Sequence, residues 1–491
     1  MRRDISVCPP ISRGQADRDR SASNSHIEII NSAAGFRNAL VKIVFVSGNR
    51  ETLPGAVIPI GLLYIMASTP DRHEKVLIDL CFEEDPRAAL RSRLDVLQPD
   101  LIAISMRNIQ NNDYAGLSDN LAYYAELVDS ARVASAAPIV VGGSGFSVMS
   151  RELMEHLEPD FGISGEGEKA FPELVSALEN GGLGLNSIGA LLHWNNDALV
   201  VNPSPADFLN IAQLASPDRA LVNPYYYEEY GVDSIQTKRG CPLRCDYCNY
   251  PLIEGRKGRL RAPESVVDEM FAALEAQPSL NHFFVVDSVF NLPIRHAKQV
   301  CRELIRRDWQ ISWSCHSNPL NFDEEFAQLA YEAGCAGMEI GSDSGCDHTL
   351  ERLKKGFTVG HIHRLHEICT AAGIPDCHTF ILGTEGETMD DVRQTIDFIV
   401  KLDPYSAIIM MWFDDYEALD PELRQPRMKL RSEIETLLLN NKNDFPHWSI
   451  PGLGINFDED QFRRLRRSGR HGPIWQHLRS PTGRGPQPFT V

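Results

Sequence analysis

The sequence has no run of 18 consecutive apolar residues, so it contains no segment with the usual length of a membrane-spanning helix. It also has no excess of positive charge, because 48 lysines and arginines stand against 67 aspartates and glutamates, for a formal net charge of −19. A chain of this charge is a poor partner for a nucleic-acid backbone. We therefore expect neither a membrane nor a nucleic acid as a partner, and we interpret the acidic excess as a contribution to solubility.

The first part of the chain lacks the apolar core of a secretory signal. Residues 1–38 are largely polar and include the pair Pro9 and Pro10, so we expect a disordered tail. Eleven cysteines in a long chain without such a signal indicate a reducing compartment, and we expect a cytoplasmic location. Eight of these cysteines are more typical of small core residues than of metal ligands: Cys8, Cys81, Cys301, Cys315, Cys335, Cys346, Cys369 and Cys377.

The other three cysteines stand close together in the run of residues 238–249. Cys241, Cys245 and Cys248 have the spacing Cys-x3-Cys-x2-Cys. Three thiolates in one short loop can bind three irons of an iron–sulfur cube, which leaves the fourth iron open to a ligand that is not protein. Structural zinc is the alternative, but it needs four ligands, and the sequence has no second Cys-x2-Cys pair and no downstream histidine before His282. The spacing therefore favours an iron–sulfur cluster.

At these residues the chain resembles the radical S-adenosylmethionine (radical SAM) superfamily, whose signature is Cys-x3-Cys-x-aromatic-Cys. Tyr247 occupies the aromatic position. The resemblance implies a [4Fe-4S] cluster on the three cysteines, with S-adenosylmethionine (SAM) bound to the open iron and cleaved reductively to a 5′-deoxyadenosyl radical. It also implies an external electron donor, such as a flavodoxin, a ferredoxin or a reductase. In such enzymes the cofactor carries the difficult chemistry and the protein orients it.

A chain of 491 residues is expected to form two or three domains, and residues 39–185 have the pattern of the first. Buried-strand runs alternate there with helical patterns, which predicts right-handed βαβ units and a doubly wound α/β sheet. The strand runs are 41–46, 76–80, 101–105 and 138–141, and the helical patterns include 88–97 and 117–134. Ligands bind at the carboxyl ends of such strands, which here lead into residues 47–59, 107–114 and 142–146.

This domain precedes the cysteine motif, as the cobalamin-binding domain does in the class B radical SAM enzymes. Residues 59–64 (PIGLLY), 142–146 (GGSGF) and 162–168 (GISGEGE) are similar to segments of that domain. The resemblance implies that Arg107, Gly142, Gly143, Ser144 and Gly145 contact cobalamin, although a tight turn would also explain the glycines.

The Asp-x-His-x-x-Gly motif, which supplies an axial histidine to cobalamin in methionine synthase-type proteins, is absent, and residues 47–59 contain no histidine. Two interpretations stay open: cobalamin binds without a protein imidazole, or the domain is retained as an empty scaffold.

Residues 186–230 are expected to form a linker, and residues 231–418 a second α/β unit. Six strand runs alternate with five helical patterns in the second unit, as in the partial (β/α)6 barrel that the resemblance implies. The strand runs are 234–237, 282–286, 310–315, 337–341, 377–382 and 407–412, and the helices are 264–276, 294–307, 323–333, 359–372 and 389–402. Residues 419–491 are expected to cap this barrel.

Barrel chemistry lies at the carboxyl ends of strands. The resemblance implies that Glu339 and Ser342 contact the ribose and carboxylate of SAM, and that Gly383 belongs to a glycine-rich turn near the adenine. The other expected cofactor contacts are Tyr247, Asp287 and Ser288. Thr388 as a helix cap would also explain the turn at Gly383.

Basic residues and histidines add further candidates. Arg256 and Arg259 follow the cysteine loop and either neutralise the charge of a cluster or belong to a solvated loop. His316 and His378 lie on or just after strands and point towards the barrel mouth or belong to the core.

Three functions are compatible with these features. The leading one is a cobalamin-dependent radical SAM methyltransferase that acts on a small secondary metabolite in natural-product or antibiotic biosynthesis. The second is a radical dehydratase of a sugar diol, as in aminoglycoside deoxygenation, or a cyclase, for which Glu339, Asp343 or a tyrosine of 225–227, such as Tyr226, would supply the acid. Packing at a domain junction would equally explain that tyrosine cluster. The third, a non-catalytic carrier, is disfavoured because a carrier needs neither the barrel nor the turns at Ser342 and Gly383.

Overall fold

The computed structural model describes residues 40–109, 120–205, 208–414, 416, 419–444, 446–469 and 472–479. The expected tail, residues 1–38, and the segment 110–114 after the third predicted strand lie outside the described residues.

The first unit is a seven-stranded sheet with the order β2-β1-β3-β4-β5-β6-β7. The first five strands are parallel, and the last two run antiparallel to their neighbours. The strands are β1 (Lys42–Ser47), β2 (Glu74–Asp79), β3 (Leu101–Ser105), β4 (Ile139–Gly142), β5 (Phe161–Ile163), β6 (Leu191–Asn195) and β7 (Ala198–Val201). The four strands predicted from apolar runs are confirmed to within two residues, because a parallel sheet that is buried on both faces needs continuous apolar sequence.

Helices cover both faces of this sheet. They are α1 (Ile60–Ser68), α2 (Pro86–Leu97), α3 (Asn120–Ala134), α4 (Ser144–Val148), α5 (Ser150–Leu157) and α6 (Gly167–Glu179). Phe45 of β1 packs in one core cluster with α1 and α6, whereas its neighbours Val44 and Val46 pack in a second cluster with α2, α3 and α5. The doubly wound α/β fold expected from the alternation is confirmed.

The stretch expected to be a linker has more structure than its sequence indicated. Residues 186–230 contain β6 and β7, which pair as a hairpin and extend the first sheet to Val201. They also contain a π-helix, Tyr226–Tyr230, directly before the second unit. β5 has only three residues, and β6 and β7 are strands of five and four residues in a stretch that prolines interrupt, so the sequence favours a linker there.

The second unit is a parallel sheet with the order β16-β15-β14-β13-β12-β11-β8. Its strands are β8 (Val232–Ile235), β11 (His282–Val285), β12 (Ser312–Ser317), β13 (Cys335–Asp343), β14 (Asp376–Leu382), β15 (Ser406–Met411) and β16 (Trp448–Ser449). The six predicted barrel strands are confirmed, and β16 adds a seventh strand from the carboxyl-terminal segment. A separate two-stranded ribbon, β9 (Lys238–Arg239) and β10 (Arg259–Leu260), brackets the three cysteines.

Helices follow the strands of the second unit. They are α7 (Tyr250–Ile253), α8 (Pro263–Ala276), α9 (Ile294–Arg306), α10 (Glu324–Glu332), α11 (Asp347–Arg352), α12 (Val359–Ala372), α13 (Met389–Leu402), α14 (Pro421–Asn440) and α15 (Glu459–Arg467). The five predicted helices are confirmed within one residue at each end. Thr388 and Asp391 form a capping box that starts α13, because each side chain accepts from the other residue's backbone or hydroxyl donors.

The strand pattern separates the lumen of the partial barrel from its outer, helix-covered face. Met338 and Ile340 of β13 belong to the core under the helices. Because side chains alternate along a strand, Gly337, Glu339 and Gly341 face the lumen. Within the described residues, no helix is long and apolar enough to span a membrane.

Candidate active site

The three cysteines lie in the loop between β9 and β10, at the carboxyl end of the second sheet. Cys241 is buried, and Cys245 and Cys248 are half-buried, all as free thiols. The amide of Cys241 donates to Gly255 O at 3.1 Å. Gly240 precedes it with φ 87°, and a side chain there would overlap the carbonyl oxygen of Lys257. The loop thus begins with a tight, glycine-dependent turn that fixes the first thiol.

The spacing of the sulfurs favours a cluster over a single ion. Within the part of the chain that the structure describes, the only set of three or more histidine, cysteine and carboxylate groups with all ligand atoms within 4.8 Å of one another is His366, Asp376 and His378, so the three cysteine sulfurs do not all lie that close together. One zinc ion with bonds of about 2.3 Å would need its sulfurs about 3.8 Å apart. Three free thiols in one loop that do not converge on a single ion agree with ligands to separate irons, so the donor set fits the expected [4Fe-4S] cluster.

Tyr247 ties the cysteine loop to the end of β13. Its hydroxyl donates to Asp343 Oδ2 at 2.5 Å, and Lys355 Nζ lies 2.7 Å from the same oxygen and 3.2 Å from the Tyr247 hydroxyl. Burial, together with the Asp343 carboxylate, raises the pKa of Tyr247. Asp343 has a left-handed φ of 62° at the strand end. The proposed acid Asp343 is therefore already paired with a lysine and a phenol.

Asp287 stabilises the start of the same loop. Its fully buried carboxylate accepts the Thr237 amide at 2.8 Å, the Thr237 hydroxyl at 2.5 Å and the Lys238 amide at 3.2 Å. The next residue differs, because the Ser288 hydroxyl is buried without a hydrogen-bond partner among the described residues. Ser288 therefore keeps a free donor and acceptor at the carboxyl end of β11.

Ser342 lies at a bulge of β13 and points away from the lumen. Its hydroxyl is 2.7 Å from His378 Nδ1, and His378 Nε2 is 2.9 Å from Asp376 Oδ2. His366 of α12 contacts the same carboxylate oxygen at 2.6 Å. Burial acts to raise the pKa of Asp376, but the hydrogen bonds from the two histidines hold it below its ordinary value. These short contacts are hydrogen bonds, so the four residues form a buried hydrogen-bond network between the sheet and α12.

Gly383 lies in the turn after β14, as the sequence predicted. It has φ 84°, and its amide donates to Glu387 Oε2 at 2.7 Å. Its carbonyl accepts from Arg427 of α14. The carboxyl-terminal helix thus holds this turn in place.

Glu339 and His316 meet in the lumen. His316 Nδ1 lies 3.4 Å from Glu339 Oε2, and Trp475 Nε1 donates to Glu339 Oε1 at 2.8 Å. Trp475 could not be predicted from the sequence as a site residue, because no local pattern links residue 475 to the middle of β13.

A cavity of about 330 Å³ separates the two sheets. In the first unit, the cavity is bordered by residues that follow β1 and β3 and by the glycine turn after β4. The order of the strands in the sheet reverses between β1 and β3. Open α/β sheets bind ligands at such a point. Arg107, Gly142, Gly143 and Ser144 border the cavity, and Gly145 lies beneath it, with its amide donating to Met106 O at 3.0 Å.

Glycine is required at position 143 of this wall. Gly143 has φ 105°, and a Cβ there would lie 2.5 Å from Met106 O. On the opposite side the cavity is bordered by residues of the cysteine loop and its flanks, among them Gln236, Arg239 and Tyr250. A broad cavity with bare backbone on one wall fits the flat ring of cobalamin, and it places such a ligand against the cysteine loop.

The two units are joined by buried ion pairs at the edge of this cavity. Arg239 Nη1 donates to Glu166 at 3.1 Å and Nη2 to Glu168, and Arg259 pairs with Glu166 at 2.7 Å. Arg259 was expected either to neutralise the cluster or to be solvated; it is half-buried rather than solvated, and it binds Glu166 of the first unit. Arg256 is exposed and donates to Leu243 O, as in a solvated loop. The carboxylates of the GEGE run therefore dock the cysteine loop.

Tyr226 lies at the junction of the two units, outside both the cavity and the lumen. It is fully buried, and its ring packs edge-on against Phe82 with the centroids 4.6 Å apart. Burial, with the nearby Asp79 and Cys81, raises its pKa. The neighbouring Tyr227 donates to Asp233 at 2.8 Å. This placement agrees with packing at the domain junction.

Two family profiles match the chain. Residues 46–175 match the B12 binding domain, and residues 235–399 match the Radical SAM superfamily. The tryptophan 2-C-methyltransferase of Streptomyces laurentii is 30% identical over 406 residues, which cover 67% of this chain and 65% of the relative. The chain thus spans slightly less than two thirds of that relative's length.

Solved structures share both units. The radical SAM methyltransferase TsrM from Kitasatospora setae, solved with cobalamin and a [4Fe-4S] cluster bound, has a TM-score of 0.68 and 28% identity over 76% of this chain and 72% of its own. A second TsrM structure holds tryptophan and a SAM analogue. The cobalamin-dependent radical enzyme OxsB has a TM-score of 0.63 at 18% identity, over 81% of this chain and 56% of its own, which shows the fold alone.

Proposed function

We propose that this chain, which belongs to the radical SAM superfamily and has a B12-binding domain before its radical SAM core, is a cobalamin-dependent methyltransferase of a small molecule. The observation that carries the proposal is the cavity between the units. One wall is the glycine turn of the B12-binding domain, and the other is the loop of the three cysteines. A corrin bound in that cavity would lie next to the cysteine loop.

The residues around the cysteine loop have distinct proposed roles. Cys241, Cys245 and Cys248 bind the [4Fe-4S] cluster, and Tyr247 orients the loop through Asp343 and Lys355. Ser288 offers a free hydroxyl to SAM, and Gly383 shapes the turn near the adenine, where Glu387 and Arg427 hold its backbone in place. Asp287 and Ser342 are already hydrogen-bonded within the protein, so they act by fixing the strand ends around SAM.

The first unit supplies the proposed corrin site. Gly142, Gly143 and Ser144 let the backbone approach the ring, and the exposed side chain of Arg107 borders the same space. When bound, cobalamin accepts and delivers a methyl group, while the cluster and SAM supply electrons and a radical. Glu166, Glu168 and Arg239 keep the two sites at a fixed separation.

The proposed substrate is a small natural-product precursor; the relative from Streptomyces laurentii is a methyltransferase of tryptophan, which is also a small molecule. The proposed partner is a one-electron donor protein such as a flavodoxin or ferredoxin, because the cluster must be reduced before it can cleave SAM.

SAM turnover tests the proposal. Cobalamin-loaded protein with a reconstituted cluster, a reductant and tryptophan should release S-adenosylhomocysteine, the product of methyl donation. Corrinoid-free protein should release none. Cys245→Ala should abolish 5′-deoxyadenosine formation, whereas Cys301→Ala, a buried core cysteine, should retain it. Equal 5′-deoxyadenosine and no S-adenosylhomocysteine with and without cobalamin would favour a radical dehydratase or cyclase.

A further inference from the structure

Glu339 lies deep in the lumen, well below the cysteine loop. It is the fifth of nine residues in β13, and Asp343, which contacts Tyr247 of that loop, is the last. Four residues of extended strand span about 13 Å. The Glu339 carboxylate is therefore closer to the floor of the lumen than to the open side of the cluster.

The carboxyl-terminal segment holds this carboxylate in place. The indole of Trp475 is buried, and its N–H donates to Glu339 Oε1 at 2.8 Å. The indole occupies the space beside Gly337, where a Cβ would lie 2.5 Å from the ring. Gln476 Nε2 donates to Ala336 O at 2.7 Å, and the Tyr405 hydroxyl donates to Gln476 O at 2.8 Å. One oxygen of Glu339 is thus fixed by a rigid donor that is itself anchored at two further points.

The other oxygen faces the lumen. Glu339 Oε2 is approached by His316 Nδ1 at 3.4 Å, and the two side chains are 18% and 42% exposed. Among the described residues, no lysine or arginine pairs with Glu339. The lumen face around them includes apolar side chains, since Phe284 packs edge-on against His316 and the half-buried Ile381, Ile408 and Met410 lie on β14 and β15, next to the polar Ser314 and Thr379. A partly buried carboxylate in such a setting requires a hydrogen-bond donor or a cation as a partner.

We propose that Glu339 and His316 form the substrate-recognition site of the lumen, and that they take the ammonium group of a substrate whose remaining body is apolar. This inference rests on the proposed function and names the substrate class. Glu339 accepts the donor through Oε2, His316 flanks it, and Trp475 is a positioning residue that prevents rotation of the carboxylate. This role differs from the ribose contact that the family resemblance implied for Glu339.

The test compares three indole probes that differ in one group: tryptamine, tryptophol and indole-3-propionate. Their affinities are measured by equilibrium dialysis against the protein with its cluster and cobalamin, in the presence of SAM. Tryptamine should bind about tenfold more tightly than tryptophol, and indole-3-propionate more weakly than both, because a hydrogen bond to a charged group is worth about this factor. Equal affinities, a preference for the acid, or no binding of any probe would overturn the proposal.

Variants separate recognition from folding. Glu339→Gln keeps an acceptor for Trp475 and should lose the preference for tryptamine, with SAM affinity unchanged. Trp475→Phe should weaken the preference severalfold, and Glu332→Gln, at the exposed end of α10, should retain it. A Glu339→Gln protein that loses about tenfold in SAM affinity but keeps the tryptamine preference would assign Glu339 to the ribose instead. These experiments measure binding and require no turnover. A protein that transfers no methyl group can therefore still show the predicted preference for tryptamine, and the two failures can be told apart.

Discussion

Arg239, two residues before the first cysteine of the cysteine loop, donates to Glu166 of the first unit at 3.1 Å and also binds Glu168. The three side chains are almost completely removed from solvent, with exposures of 7%, 11% and 5%. Glu166 additionally pairs with Arg259, which follows the loop. The loop is therefore clamped at both ends to the wall of the cavity, so that the cluster and the proposed corrin site are positioned as one body.

Replacement of Arg239 should destabilise this junction. Arg239→Met leaves Glu168 buried without its cation, and loss of one partner of a buried ion pair costs about 3–5 kcal/mol. Urea unfolding should show a lower midpoint, and the variant should bind less cobalamin. Arg256→Met, on the exposed side of the same loop, should unfold like the parent protein. An unchanged midpoint for Arg239→Met would mean that the ion pairs do not hold the units together.

Lys355 should be required for a stable cluster. Its ammonium group pairs with Asp343 at 2.7 Å and is almost completely buried. Lys355→Met leaves the Asp343 carboxylate unpaired next to the thiolates, so that negative charges repel without screening by solvent. After anaerobic reconstitution, the iron content of Lys355→Met should fall to less than half that of the parent protein. The adjacent Lys354→Met removes only an exposed pair with Asp246 and should retain full iron; equal iron in both variants would contradict the argument.

Gly143 should tolerate no side chain. Gly143→Ala places a Cβ 2.5 Å from Met106 O at a φ of 105°, so the turn must shift by strain of about 1–3 kcal/mol. We expect a lower thermal midpoint and weaker binding of hydroxocobalamin, measured by absorbance titration. Gly360→Ala is the matched control, because the added methyl on α12 has only an ordinary contact at 3.5 Å and alanine favours a helix. Full cobalamin binding by Gly143→Ala would remove the glycine turn from the proposed site.

The contact of His366 with Asp376 should make stability depend on pH. Burial lowers the pKa of His366, but the hydrogen bond to the carboxylate more than offsets this and raises it above its ordinary 6.5. The pair therefore stabilises the fold below the unfolded-state pKa, and this contribution is lost as the pH rises through the folded-state value. His366→Asn should cost more stability at pH 5.5 than at pH 8.5, by urea unfolding. The exposed His363→Asn should change little at either pH. A larger cost at pH 8.5 for His366→Asn would reverse the assignment.

The sequence predicted those parts of the fold that have a local signal. Continuous apolar runs predict the buried parallel strands, and the cysteine spacing predicts the metal loop. The five predicted helices of the second unit, among them α13 with its capping residue Thr388, are correct within one residue at each end. By contrast, β6 and β7 are strands of five and four residues at the end of the first sheet, and the prolines that follow them favour a linker from sequence alone.

The direction of side chains in the site was harder to predict. Ser342 is at a bulge, which interrupts the alternation along β13, and a pattern of period two cannot locate such an interruption. Trp475 binds Glu339, from which it is separated by 136 positions in the sequence, and Arg239 binds carboxylates of the GEGE run that are 71 or more positions away. Only tertiary structure brings such residues together. The acidic run in the first unit and the basic residues around the cysteine loop were nevertheless a usable signal that the two segments pair.

The cobalamin content of the purified protein tests the central claim most directly. The protein is prepared anaerobically from cells supplied with hydroxocobalamin, and corrinoid is measured by absorbance and mass spectrometry against iron from the reconstituted cluster. The account predicts about one corrinoid per chain, lost in Gly143→Ala and retained in Gly360→Ala. A corrinoid-free protein that contains its cluster and still produces 5′-deoxyadenosine from SAM would contradict the account.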